Sequence, residues 1–355
     1  MNVKFGIIGF GFMGRIHEEM ITLYLDGAEV TAVCDILPKR LNDAITPGVQ
    51  KFTSVDDLLA IEEIDVVLIA VPNHLHLEMV RKAARVGKDI ICEKPAAMNV
   101  TEFDEMMAET VRCGVHLTVH QQRRFDKGFQ MMKQAYDDGL VGRPYTIQSK
   151  LAGYNGNMHD WHVYKKYGGG MLMDWGVHLI DQMVWMMGCP VKTIFADVRS
   201  VVNAEVDDYF KLLLRFENGM TAEVELGTYF LKDDPQWYTQ HWFLGGSKAS
   251  AYCDGFTPEY GKLTTTRRLL TDVADKCDTS KTGPTRSFGT PDNDLFDTQL
   301  LPPATTEYID YYQNYLAARA GREEYLVRPE EVREVLRIIE AAHLSAQTGH
   351  SVTLN

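Results

Sequence analysis

The chain has 355 residues, 45% of them apolar and 24% charged, with a net charge of −13 and an isoelectric point near 5.3. That length allows two domains with sizeable cores, and the acidic balance argues against nucleic acid or an anionic membrane surface as a partner. No apolar run is long enough to span a bilayer, the six scattered cysteines form no Cys-x-x-Cys pair, and a strand beginning by Val3 leaves no cleavable leader, so a cytoplasmic protein with reduced thiols is expected.

Residues 1–122 alternate short apolar runs with helical stretches, which predicts a doubly wound parallel sheet. Strands are expected over 3–8, 29–34, 66–70, 89–92 and 116–119, and the unbroken apolar run from Val66 to Val71 suits a strand covered on both faces. A helix over 78–86 ends at Gly87. Asn99-Val100-Thr101 fits a glycosylation sequon, a triplet common by chance. After Arg123 the pattern changes. A helix at 128–138, a turn at Gly142-Arg143-Pro144, a strand at 145–151 and a strongly apolar helix at 171–187 precede a strand-rich stretch from 191. Two hairpins are expected there, 210–216 with 220–226 and 242–244 with 249–252. The polar stretch 254–304 reads as a long excursion, either a lid or an oligomer contact. Helices at 305–320 and 329–347 close the chain, the second with Pro329 in its first turn and Gly349 past its end.

Gly9-Phe10-Gly11-Phe12-Met13-Gly14 follows the first strand directly and opens a helical run. Gly9 allows the tight turn, Gly11 lets backbone approach a pyrophosphate, and Gly14 permits close helix–strand packing. The helix N-terminus favours the anion through its free N–H groups. Asp35 ends the second strand, where it can accept hydrogen bonds from both ribose hydroxyls. Its charge favours NAD over NADP, a preference weakened by nearby Lys39 and Arg40. The expected fold class is therefore α/β: an N-terminal Rossmann doubly wound parallel sheet (1–122), and a C-terminal α/β domain with an open, mostly antiparallel sheet (123–355) whose last helices pack back on the first.

In the helix 171–187, Asp174, His178, Asp181 and Gln182 fall at i, i+4, i+7 and i+8, on one stripe of an otherwise apolar segment. Buried charge is costly unless paired or used. The stripe reads either as a proton-transfer site or as a satisfied buried polar pair. For proton transfer, His178 would accept a hydroxyl proton, Asp174 would orient its ring or hydrogen-bond the same hydroxyl and would raise its basicity, and Lys94 would stabilise the alkoxide. Asp181 and Gln182 read as structural. His159-x-x-His162 with His178 lacks a carboxylate or cysteine at ligand spacing, so no metal is expected.

Val71-Pro72-Asn73-His74-Leu75-His76 and Cys92-Glu93-Lys94-Pro95 each follow a strand, at the sheet edge where ligands bind. Together with the glycine motif and Gly169-Gly170-x-x-x-Asp174-x-x-x-His178-x-x-Asp181, they resemble the Gfo/Idh/MocA family (glucose–fructose oxidoreductase, inositol dehydrogenase and rhizopine catabolism) over nearly the whole chain. Gln122-Arg123-Arg124-Phe125 resembles the segment joining that family's two domains. The resemblance implies that Lys94 contacts substrate hydroxyl and nicotinamide, and that Asp174 and His178 are the catalytic pair. It also implies dimers or tetramers formed through the open face of the second sheet. Cofactor contacts are expected from Gly9, Gly11, Phe12, Met13, Gly14, Asp35, Ala70, Pro72, Asn73, His76, Glu93, Lys94 and Gln122. Substrate contacts are expected from Lys94, Arg123, Tyr154, Trp161, His162, Asp174 and His178, with Trp237 a further residue that could stack on a sugar face. Where relatives often carry Trp-Arg, this chain has Trp161-His162, which favours a neutral substrate. The expected activity is NAD-dependent oxidation of a secondary ring hydroxyl of a sugar, a glycoside (C3 of a glucoside being one version) or a cyclitol. Two alternatives stand beside it: an NAD-dependent glycoside hydrolase using transient oxidation, and a non-catalytic NAD-dependent sensor or regulatory protein.

Overall fold

Six short strands line up in one parallel sheet in the computed structural model, which describes residues 2–153, 158–230, 238–267, 278–280, 283–285 and 295–354. They are β1 (Val3–Ile8), β2 (Ala28–Cys34), β3 (Gln50–Phe52), β4 (Val66–Ile69), β5 (Asp89–Cys92) and β6 (Leu117–Val119), in the order β3-β2-β1-β4-β5-β6. The order reverses beside β1, so a crevice opens at its carboxyl end between β1 and β4. Every residue of β4 is buried, as its unbroken apolar run requires. The covering helices are α1 (Phe12–Tyr24), α2 (Val55–Leu59), α3 (His76–Arg85) and α4 (Val100–Cys113). Asn99, the sequon asparagine, caps α4 by accepting from Glu102 N at 2.9 Å, and Gly114 ends it in the left-handed conformation.

After β6 come α5 (Lys127–Asp137) and β7 (Pro144–Gly153), then α6 (Val177–Met187), which is entered through a π-helical turn at Leu172–Gly176. β8 (Val191–Arg199), β9 (Tyr209–Phe216) and β10 (Thr221–Gly227) follow. Next are β11 (Tyr238–Gly246), β12 (Ala249–Asp254) and β13 (Gly261–Thr266). A separate small pair, β14 (Asp278–Ser280) and β15 (Gly283–Thr285), precedes β16 (Phe296–Leu301). The chain closes with α7 (Ile309–Arg319), α8 (Pro329–Thr348) and β17 (Val352–Thr353). The second sheet runs β16-β13-β12-β11-β7-β10-β9-β8-β17, and only its β7–β10 neighbours are parallel. One face is apolar and packs against α5, α6 and α8; along β9, Phe210, Leu212, Leu214 and Phe216 are buried while Leu213 and Arg215 are exposed.

Both expected hairpins form, β9–β10 and β11–β12. The excursion expected over 254–304 is corrected in part. β13 and β16 pair antiparallel and extend the sheet edge; three threonines end β13 and Asp297, Thr298 and Gln299 interrupt β16, which hides the apolar alternation that reveals a strand. α7 starts at Ile309 rather than 305. It returns to the first sheet, where Tyr311, Tyr312 and Tyr315 are buried in the same core as β1 and β4. α8 serves both cores, giving Val332 and Leu336 to the first and Val335, Ile338 and Ile339 to the second. Among the described residues no helix is long and apolar enough to cross a membrane.

Candidate active site at the junction of the two sheets

The glycine loop is shaped by close approaches. Gly9 has φ +92°, and a Cβ there would lie 2.4 Å from the Ala70 carbonyl oxygen. A Cβ on Gly14 would lie 2.1 Å from the Gly9 carbonyl oxygen, so α1 can seat on the loop only with glycine at that position. Gly11 differs: a Cβ there would meet only the Arg40 guanidinium, at 3.8 Å, which leaves backbone open to a ligand. Gly11 caps α1 without a side-chain bond, so the helix presents its first N–H groups unblocked by a side chain. Phe12 is exposed and Met13 half-buried at the same mouth. Asp35 accepts from Phe10 N at 2.9 Å, from Leu37 N at 2.8 Å and from Arg40 at 3.2 Å. Cradle, helix end and carboxylate fit a dinucleotide with an unphosphorylated ribose.

Lys94 lies in the loop after β5 and reaches across to the second half of the chain. Its Nζ donates to Asp174 Oδ1 at 2.7 Å and to the Asp174 carbonyl at 3.0 Å. His162 Nε2 lies 3.7 Å from Asp174 Oδ2, and its ring stacks on Trp161 at 3.8 Å. Burial alone would raise the Asp174 carboxyl, but Lys94 and then His162 hold it below its usual value. Asp174 sits in the π turn, whose start is fixed by Asp207: its carbonyl accepts from Met171 N at 3.0 Å and its carboxylate from Leu172 N at 2.7 Å. His178 follows on α6, 3% exposed, with Nδ1 unpartnered.

Residues 3–121 match the oxidoreductase family with an NAD-binding Rossmann fold, and residues 129–253 match the GFO/IDH/MocA C-terminal domain. The chain belongs to the Gfo/Idh/MocA family. It is an oxidoreductase, and its coenzyme is NAD. Among similar proteins, the uncharacterized oxidoreductase YrbE of Bacillus subtilis is 30% identical over 75% of this chain and 78% of its own. The myo-inositol 2-dehydrogenase of Thermotoga maritima is 29% identical over 63% of this chain and 68% of its own. The crystal structure of an NAD-binding protein from Listeria innocua superposes with a TM-score of 0.90 at 31% identity, covering 99% of each chain.

Within this Gfo/Idh/MocA oxidoreductase, several sequence expectations need revision. Asp174 does not pair with His178 and does not raise its basicity. The ammonium of Lys94 takes the carboxylate, while burial, then Lys94 and Arg123, hold His178 well below the ordinary histidine value. His76 is not free to meet a cofactor, because its ring nitrogens face the carbonyls of Val71, Pro95 and Ala96 and tie the two strand-end loops together. Asn73 is buried and donates to the Gly168 carbonyl at 3.2 Å. The Glu93 carboxylate points away from the crevice into a buried cluster with His17 and His120. Arg123 lies 4.2 Å over the Trp175 ring and 4.8 Å from Phe256, and it pairs with Asp126 at 3.2 Å, so its guanidinium has partners without a substrate. Ala70 and Pro72 line the loop after β4, and Gln122 is half-buried with its Oε1 unpartnered. Tyr154 and Trp237 lie outside the described residues. Asp181 is structural: with Glu331 it neutralises the fully buried Arg124. Gln182 bonds the Arg123 carbonyl at 2.6 Å.

The sequence reading missed His17, His120 and Asp207. His17 stands three residues after Gly14 and gives no local signal, because its partner Glu93 lies 76 positions away. Among the described residues, His17, Glu93 and His120 are the group at metal-ligand spacing, not the histidines of 159–178.

Proposed function

We propose that this enzyme oxidises a secondary ring hydroxyl of a cyclitol, sugar or glycoside with NAD, residues 1–122 holding the coenzyme and residues 123–355 the substrate. The observation that carries the reading is the 2.7 Å contact between Lys94 Nζ and Asp174 Oδ1, which joins the two halves beside His178. Bound NAD supplies the hydride acceptor. Lys94 and Asp174 form a nearly neutral pair that a hydroxyl can enter, accepting from the ammonium and donating to a neighbouring base. As the alkoxide develops, Lys94 keeps its charge against it, a preorganised electrostatic role. His178 is neutral near pH 7 because burial and two cations disfavour its charged form, so it offers a lone pair rather than a proton. The stacked Trp161–His162 pair offers an apolar face with one polar edge, which suits a ring with no net charge. A cyclitol is favoured by the relative named myo-inositol 2-dehydrogenase. The uncovered face of the second sheet, where Phe195 and Leu213 are exposed, supports assembly of two or four copies, which sedimentation velocity reads directly.

The test is NADH absorbance with a panel of inositols, glucose and methyl glucosides. At least one should give substrate-dependent NADH, and Lys94→Ala and His178→Ala should abolish most of it. No turnover across the panel, or turnover unchanged in both variants, overturns the reading.

A further inference from the structure

Gly169 and Gly170 stand just before the helix that carries Asp174 and His178, and the dehydrogenase scheme leaves them without a role. Both are required by close approaches. A Cβ on Gly169 would lie 2.3 Å from the His162 carbonyl oxygen, and one on Gly170, whose φ is +108°, would lie 2.3 Å from Asp207 Oδ1. Only glycine lets Asp207 come this near. The Gly170 N–H donates to the His162 carbonyl at 3.0 Å, and the Gly170 carbonyl accepts from Asp174 N at 2.9 Å. From its seat against Gly170, Asp207 takes Met171 N on its carbonyl at 3.0 Å and Leu172 N on its carboxylate at 2.7 Å. These are first-turn donors that a helix cannot satisfy by itself.

Asp207 is itself firmly placed. Its neighbour Asp208 is fully buried and accepts from Val201 N, Val202 N and Asn203 N at 2.7, 2.8 and 2.9 Å, while the Asp208 carbonyl accepts from Thr228 Oγ1 at 2.8 Å. Further along the helix a second anchor holds, through Asp181 on Arg124 and Gln182 on the Arg123 carbonyl. Between the two anchors lies the π turn Leu172–Gly176. A π turn takes in one residue more than an α turn and is rare without a cause. In an α-helix Asp174 would stand one turn over His178, on the same face. Here the Asp174 carboxylate is on Lys94 at 2.7 Å, and His178 Nδ1 has no partner.

We propose that Asp207, seated against Gly170, holds the wide turn in place and so directs Asp174 onto Lys94 and away from His178, which makes it a positioning residue for hydroxyl oxidation. This rests on the dehydrogenase reading of the Lys94–Asp174 pair. Released from Asp207, the turn relaxes toward α-helix, Asp174 swings to His178, and Lys94 loses its partner. His178 then has a carboxylate beside it. The other groups acting on it are Lys94, Arg123, Glu93 and His120, and the Trp175 ring lies edge-on at 5.9 Å. Asp181, on the same helix, is taken by Arg124. A carboxylate next to an imidazole favours the charged form, and a charged His178 takes no proton from a hydroxyl. Asp207 acts through Asp174 and does not touch the substrate.

Asp207→Ala tests this, with kcat and kcat/KM followed across pH on whichever polyol the wild type oxidises. With NAD saturating, kcat should fall roughly 10- to 100-fold, the scale of a small misplacement of reacting groups. KM for NAD should stay within about twofold, because the glycine loop that binds it is untouched. The acid limb of kcat/KM should move to higher pH, since His178 becomes easier to protonate. Asp207→Asn keeps an oxygen for Leu172 N and should recover most of kcat. On an Asp174→Ala background, Asp207→Ala should cost less than about twofold more, because the group it positions is gone. An unchanged kcat, an unmoved acid limb, no recovery with asparagine, or a full second loss on that background each overturns the proposal. Should Asp207→Ala not fold, Asp207→Glu decides instead. Its extra methylene has no room beside Gly170 and should move the acid limb in the same direction; an unmoved limb again overturns the proposal. Wild-type protein that oxidises no polyol sinks the dehydrogenase reading itself, and this proposal with it. Wild-type turnover with a normal Asp207→Ala profile sinks this proposal alone.

Discussion

Two buried clusters of charge are anchored by the same helix, and they are finished differently. Around Arg124 every contact closes: its Nε and Nη2 reach the two Asp181 oxygens at 2.7 Å each, Nη2 also reaches Glu331 at 2.9 Å, and Nη1 reaches the Leu326 carbonyl at 2.7 Å. One turn earlier on α6 stands His178 with an open nitrogen, near the half-open Lys94–Asp174 pair. The lesson is that burial of charge does not by itself mark a site. The fully satisfied cluster is a joint that holds the two halves in register, whereas the open His178 nitrogen lies by the pair proposed for chemistry.

The largest effect expected from breaking this contrast is on stability. Arg124→Ala leaves Asp181 buried without compensation and should cost about 3–5 kcal/mol in chemical denaturation. Replacing the whole set (Arg124→Met, Asp181→Leu, Glu331→Leu) should recover most of that loss, because no lone charge remains. If the triple variant is as unstable as the single one, the joint does more than neutralise charge. Lys94→Ala should act mainly on turnover, lowering kcat/KM by about 10²–10³, or about 2.7–4 kcal/mol of transition-state stabilisation, with a smaller loss of stability because Asp174 loses the cation beside its buried carboxylate. Asp35→Asn removes the charge that repels a 2′-phosphate, so the ratio of kcat/KM for NAD over NADP should fall roughly tenfold, about 1.4 kcal/mol.

The smallest effect concerns Asp207, which fixes the turn bearing Asp174 and whose carboxyl burial pushes up from 3.8 to about 6. A carboxyl raised on folding favours the folded state most when protonated. That contribution is complete below its unfolded value and is lost as pH rises through about 6. Between those two points Asp207→Asn should therefore flatten the stability-versus-pH curve relative to the wild type. Melting temperatures measured across the interval check this, and parallel curves for the two proteins would refute it.

Much of this was legible in the sequence because local rules carried it. The glycine spacing, the all-apolar β4, the hairpin turns at Glu217-Asn218-Gly219 and Gly245-Gly246-Ser247, and the Pro329 and Gly349 ends of α8 each depend on a few adjacent residues. The polar stripe of α6 was visible for the same reason. Its pairing was not, because helical spacing shows which residues share a face but not which distant charge will reach them. Lys94 lies 80 positions from Asp174, and a π turn sits where an ideal α-helix was assumed. The Glu93 cluster was hidden in the same way: Glu93 stands beside a lysine with a clear role, and only folding brings His17 and His120 to it.

The three tyrosines of α7, with Val327, Val332 and Leu336, complete the core of a sheet whose last strand ends at Val119. At a ribosome adding about 5–20 residues per second, that sheet emerges early and then waits on the order of ten to forty seconds for its remaining wall. Until α7 and α8 are made, an apolar seam beside β1 faces water. The half of the enzyme that is translated first is thus sealed only as α8, which it shares with the second half, is made.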